Sequence, residues 1–214
     1  AGAILSVLKL YRICPEPWIL EKAVWMGEYL IKQNRSGSGL YKSFSSIQND
    51  HGPMSGMSHG AAGYAYALAA LAKASGRRDF EEIAQECLRF ENERFNEEYQ
   101  NWPPIHQPGK NLHDTMKRCM WCHGAVGVGL ARLASEKFSD LETSDLRFDI
   151  DRSIRGARKN MSKTIDSLCC GAMGRVELFY EVGKTHLDSE LIAQARQQLF
   201  EVIEAAHQST YRFG

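Results

Sequence analysis

The chain has 214 residues, with 26 Lys+Arg balancing 26 Asp+Glu, 43% hydrophobic and 24% charged, which is the composition of an ordinary globular domain able to bury one sizeable core. That balance excludes charge-driven disorder and supplies no overall field to attract nucleic acid or a membrane surface. The longest apolar stretches, such as Ala61–Ala72, fall well short of the ~20 residues that cross a bilayer, so no transmembrane helix is expected.

From the first residue, Ala1-Gly2 runs into the amphipathic stretch Ile4–Tyr11 without a basic region or cleavage site, so no signal peptide is expected. Six cysteines are too few for a disulfide scaffold in a chain this long, which points to a reducing, cytoplasmic compartment. After an irregular segment, Gln33–Ser58, comes Gly60-Ala61-Ala62-Gly63 leading into an apolar stretch, Tyr64–Lys73. A one-sided stripe follows at Phe80, Ile83, Ala84, Cys87 and Leu88. A second irregular segment, Glu98–Cys119, contains the stiff turn Trp102-Pro103-Pro104-Ile105. Loops of that length usually carry function. Gly124-Ala125-Val126-Gly127 then leads into Val128–Ala134, a stripe at Ile150, Ile154, Ala157 and Met161 follows, and Gly171-Ala172-Met173-Gly174 leads into Arg175–Glu181. The last stripe takes Leu187, Leu191, Ile192, Ala195, Leu199, Val202, Ile203 and Ala206.

The Gly-x-x-Gly signature is therefore an internal repeat, with a partial copy at Ala1-Gly2. Its second glycines, Gly2, Gly63, Gly127 and Gly174, stand 61, 64 and 47 residues apart, right for a helix pair plus a loop. Helices after the signatures are apolar on most faces and belong inside, whereas the striped helices belong to an outer layer. The class is all-α, in one domain. Arg147, Arg152, Arg155, Arg158, Lys159 and Lys163, interleaved with Asp149 and Asp151, read as a solvated face.

Cys122, in Trp121-Cys122-His123-Gly124, and the pair Cys169 and Cys170, in Leu168-Cys169-Cys170-Gly171, occupy the same place before a glycine-headed helix. Side-by-side inner helices would bring these three thiols to one rim, where thiolates suit zinc and helix N-termini favour the anionic sulfur. Cys119-x-x-Cys122 also has zinc-ligand spacing, which leaves open a closed four-cysteine structural site against an open three-cysteine one. His59 fills the corresponding slot before Gly60, and Arg118 lies four residues before Cys122, within reach of an oxyanion. His51, His106, His113 and His123 read first as surface or capping groups, and Cys14 and Cys87 as small buried apolar residues. No Asp or Glu sits beside the glycines of the rim, which disfavours an α/α-barrel glycosidase.

The three signatures Gly56-Met57-Ser58-His59-Gly60-Ala61-Ala62-Gly63, Trp121-Cys122-His123-Gly124-Ala125-Val126-Gly127 and Leu168-Cys169-Cys170-Gly171-Ala172-Met173-Gly174 resemble, in the same order, those of the lanthionine-forming cyclases. The resemblance implies an α/α toroid of inner and outer helices, of which residues 1–214 would be a part lacking the early repeats and the final one. It also implies a Zn2+ cofactor on Cys122, Cys169 and Cys170, and a dehydrated precursor peptide, leader plus core, as substrate. Ring closure would follow by addition of peptide cysteine to dehydroalanine or dehydrobutyrine, with His59 as acid or base and Arg118 steadying the enolate. Most relatives read Cys-His-Gly in the third signature. Cys-Cys-Gly is similar to the subgroup of class II synthetases typified by the prochlorosin synthetase, in which a dehydratase region would precede this part of the polypeptide. A relative that binds zinc and a thiol or peptide without closing rings is the alternative.

Overall fold

The computed structural model describes residues 1–36, 39–40, 54–58, 60–103, 111, 113, 116–138, 143–160, 165–208 and 211–212. Among them are helices α1 (Gly2–Ile13), α2 (Pro17–Asn34), α3 (Ala61–Ser75), α4 (Arg78–Asn92), α5 (Ala125–Ser135), α6 (Thr143–Lys159), α7 (Ala172–His186) and α8 (Ser189–Gln208). Two two-residue strands, β1 (Arg35–Ser36) and β2 (Gly39–Leu40), pair antiparallel with Arg35 opposite Leu40. The all-helical expectation therefore holds, with this small hairpin and an isolated antiparallel bridge between Asn96 and Asn101 as its departures among the described residues. Each odd-numbered helix packs on the even-numbered helix that follows it, and α1, α3, α5 and α7 lie side by side in chain order. An inner and an outer layer result.

Side-chain size explains the layers. In α3, Ala61–Ala65 and Ala67–Leu71 are buried, almost the whole circumference, because alanines let three neighbours approach one helix. By contrast α4 buries Phe80, Ala84, Cys87, Leu88, Phe90 and Glu91, a single face extended by a carboxylate that the apolar stripe did not include. Phe80 and Leu71 lock α3 to α4 in one apolar cluster, and Val128, Ile150 and Phe179 centre a second around α5 to α7.

Several expectations are corrected. The inner helices begin at Ala61, Ala125 and Ala172, three residues earlier than expected, so the first glycine of each signature is the N-cap. Leu187 is not in the last stripe: it caps α7 in the left-handed conformation (φ 58°) and is 89% exposed. Asp188 then starts α8 by accepting from the N–H groups of Glu190 and Leu191. Cys87 is buried as expected, but Cys14 is exposed beyond the end of α1. Asp149 is buried, and Arg152 is drawn largely inward with it, so the charged face of α6 is not wholly solvated. Met161, Lys163, Pro104 and Ile105 lie outside the described residues.

The glycine signature has a steric cause. The segment leading into each inner helix folds back along its first turn, and backbone carbonyls seven residues upstream accept from its unpaired N–H groups: Met54 from Ala61, Gly56 from Gly63, Met120 from Gly127, and Ile165 from Ala172. This return brings the carbonyl oxygens of Met57, Trp121 and Leu168 to 2.0, 1.9 and 2.6 Å from the place a Cβ would occupy on Gly63, Gly127 and Gly174. Any side chain there expels the loop. At Gly124 the backbone also takes φ 90°, a region that favours glycine.

Gly127→Ala should therefore destabilise the fold by ~1–3 kcal/mol or more, read as a lowered denaturation midpoint. Gly2→Ala, whose Cβ would meet nothing within 4 Å, should leave stability unchanged or raise it by up to ~1 kcal/mol. Equal effects at the two sites would remove the steric explanation.

Candidate metal centre

Three lead segments stack at the rim. Residues 54–58 lie against residues 118–123, which lie against residues 165–170. Ser58 N–H donates to the Cys122 carbonyl (3.2 Å), while the N–H groups of Trp121 and Cys122 donate to the Cys169 carbonyl (3.0 and 3.4 Å). Both backbone polar groups of Cys122 are thus held by neighbouring segments. Gly56, at φ 110°, lets this stack close, because a Cβ there would meet the Cys122 oxygen at 2.8 Å.

The stacking brings the thiols of Cys122, Cys169 and Cys170 together, with every sulfur within 4.8 Å of the other two. Cys122 Sγ and Cys170 Sγ are 3.9 Å apart. A tetrahedral zinc with bonds of about 2.3 Å separates its sulfurs by about 3.8 Å, so the donor set fits that ion in type and spacing. Cys122 is buried, Cys170 half-buried and Cys169 exposed, which leaves the cluster open to solvent on one side. Burial pushes the Cys122 thiol up to about 12, and the neighbouring Cys169 and Cys170 push it the same way. Burial also raises Cys170, with Cys169 adding to it. Without a cation these thiols keep their protons, and a bound cation reverses that preference.

Cys119 stands apart from this group. It is buried on the far side of its loop, where the N–H groups of Val126 and Ala125 bond to its sulfur, and burial holds its thiol up at about 11. The first N–H groups of α5 therefore go to the Cys119 sulfur. The four-cysteine site fails because Cys119 stands outside the group. Arg118 has an exposed side chain, and its carbonyl accepts from the Asn101 side-chain amide at 3.1 Å. His123 turns Nδ1 toward the Ser55 carbonyl (3.5 Å), and His113 meets the Tyr99 hydroxyl (3.0 Å). His59, His51 and His106 lie outside the described residues.

Asn101 escaped the sequence reading. Fully buried, it accepts from Ala125 N–H through Oδ1 (2.7 Å) and donates through Nδ2 to the Met116 and Arg118 carbonyls. One amide thus caps α5 and ties the second irregular segment to the loop that carries Cys122. Only its position just before Trp102 in a long loop could have drawn notice.

The family model for lanthionine synthetase C-like proteins matches residues 1–214. The chain belongs to the lanthionine synthetase C-like family. Comparison with curated proteins gives no match. The layered helices described above agree with the α/α toroid of the lanthionine synthetase C-like fold, and the cluster of three cysteines is one that could hold a metal ion.

Metal titration tests the assignment. Cys122→Ala should lose most zinc affinity while Cys119→Ala keeps it. Because raised thiols must release protons to bind, affinity in the native chain should fall as pH is lowered from about 8 to about 6. Zinc retained by Cys122→Ala and lost by Cys119→Ala would reverse the ligand set.

Proposed function

We propose that the chain is the zinc-dependent cyclase part of a lanthionine-forming enzyme, closing thioether rings in a dehydrated precursor peptide. The observation that carries this reading is the set of three thiols from two signature loops, open to solvent beside Cys169 in a member of this family. A closed tetrahedron would leave no place for a substrate sulfur, whereas three protein ligands leave one position for it.

When bound, zinc supplies a positive charge that lowers the pKa of an incoming peptide thiol. Cys122, Cys169 and Cys170 would hold that ion, and three thiolate donors would leave the substrate thiolate strongly nucleophilic. The thiolate adds to the β-carbon of dehydroalanine or dehydrobutyrine: one S–C bond forms, the C=C π bond breaks, and the electron pair passes to the enolate. A proton then returns to the α-carbon, so mass is unchanged while one thiol disappears. His59, from its place in the first signature, is the residue assigned to the proton transfer. Arg118 is assigned to enolate stabilisation on sequence position, and its exposed side chain leaves it the freedom to reach a bound peptide.

A dehydratase region elsewhere in the same polypeptide, the class II subgroup suggested by Cys-Cys-Gly, and a cytoplasmic setting complete the reading. It requires a peptide substrate beside the three thiols and neither nucleic acid nor a membrane. Among the described residues no helix is long and apolar enough to cross a bilayer.

Incubation with a dehydrated cysteine-containing peptide, followed by alkylation of remaining thiols and mass measurement, tests the activity. Ring closure consumes thiols without a mass change. His59→Asn should keep its zinc but slow closure by ~10²-fold or more, and a full rate in that variant removes His59 from the mechanism. Peptide and zinc binding without loss of thiols by the native chain would leave a binding module in place of a cyclase.

A further inference from the structure

A line of buried charge runs from the outer layer to the rim. Glu91, in the last turn of α4, is fully buried. Its Oε1 accepts from Gly56 N–H at 2.8 Å, and Ala62 N–H also bonds to the carboxylate. Arg132 of α5 brings Nη2 to 3.1 Å from Glu91 Oε2 and donates from Nε to Asp149 Oδ2 of α6 at 2.9 Å, with all three side chains essentially inaccessible. Asp149 in turn faces Arg152 at 3.6 Å, and Arg152 stacks on Phe95 and Phe148. The apolar seams around these groups would be filled as well by methionine or leucine, so packing alone does not account for the charges. What the carboxylate does that an apolar side chain cannot is accept from Gly56 and Ala62.

Gly56 belongs to the segment that holds Cys122. Its loop packs on the Cys122 carbonyl, and Ser58 N–H bonds to that same oxygen. On the other side, the Cys122 N–H is held by Cys169. The outer helix therefore reaches one of the two grips on Cys122 through Glu91. We infer that Glu91, held by Arg132, which Asp149 anchors in turn, is a positioning residue of the metal centre, fixing residues 54–58 against Cys122 and so setting where its thiol stands. This rests on the reading of Cys122, Cys169 and Cys170 as the metal ligands. Supports behind metal ligands commonly change affinity by ~10–100-fold when removed.

The test is zinc affinity, measured by competition with a chromophoric chelator on the full chain, with helix content and melting temperature recorded alongside. The paired replacement Glu91→Met with Arg132→Met leaves neither partner charge alone in the core. It should keep its helix content and bind zinc about tenfold more weakly. Glu91→Gln, which retains an oxygen for Gly56 but not the charge that Arg132 grips, should show a smaller loss in the same direction. Phe80→Leu, buried in α4 away from the rim, serves as control: it should lower the melting temperature without altering zinc affinity. Native affinity in a folded paired variant would overturn the inference. If that variant loses its helices, Glu91→Gln decides: native affinity overturns the inference and a loss sustains it. A native chain that binds no zinc would sink the metal reading itself, whereas native and variant chains binding equally well would sink only the role of Glu91.

Discussion

At the third residue of α3, α5 and α7, a backbone carbonyl occupies the space of a side chain. The oxygens of Met57, Trp121 and Leu168 lie 1.9–2.6 Å from the Cβ positions of Gly63, Gly127 and Gly174, the tightest at Gly127. Glycine is required because the lead segment must run alongside the helix start to satisfy its free N–H groups. Once that segment is pinned, the residues just ahead of each helix share one height in the array. Cys122, Cys169 and Cys170 meet because their segments are pinned alike.

The grip is mutual. Each lead segment is bonded both to its own helix and to the segment beside it, so Cys122 is clasped from two sides by Ser58 and Cys169. Such a clasp orders the Cys122 backbone without any cation, which would reduce the ordering cost of binding one. It also explains the unequal exposure of the three thiols. Cys122 sits between neighbours and is buried, whereas Cys170 is half-buried and Cys169 exposed. Asp166 steadies the segment carrying Cys169 and Cys170: its carboxylate pairs with Arg212 at 2.7 Å, and this partner holds its pKa below the usual carboxylate value.

Buried charge links the layers at a cost in desolvation. Removing one member of such a pair typically costs ~3–5 kcal/mol because the other is left uncompensated. Burial raises the pKa of Glu91, and Arg132 with the Gly56 and Ala62 N–H groups works against that rise. The Glu91–Arg132–Asp149 line spans α4, α5 and α6, so it joins two successive hairpins and fixes their relative height. Close-packed apolar side chains hold the same seam, and the ionic contacts add directional bonds at defined distances.

The sequence by itself determined the helical class, the repeat and the three cysteines that cluster at the rim, because each is written in spacing: glycines three apart, apolar residues on one face, cysteines in the same slot of successive copies. Periodicity also found the apolar part of α4 and α8. It stopped short where polar residues turn inward. Glu91, Asp149 and Asn101 are of types that usually face water, and only the chain partners supplied by folding, Arg132 and Gly56 N–H for the acids, Ala125 N–H for the amide, make their burial tolerable. The tertiary structure alone decided between Cys119 and its neighbours. Both Cys119 and Cys122 fit a zinc spacing in sequence, but the turn between them sends one sulfur to the N-terminus of α5 and the other to Cys170. Spacing along a chain sets which residues are eligible, and the direction of each side chain from a folded loop sets which of them meet.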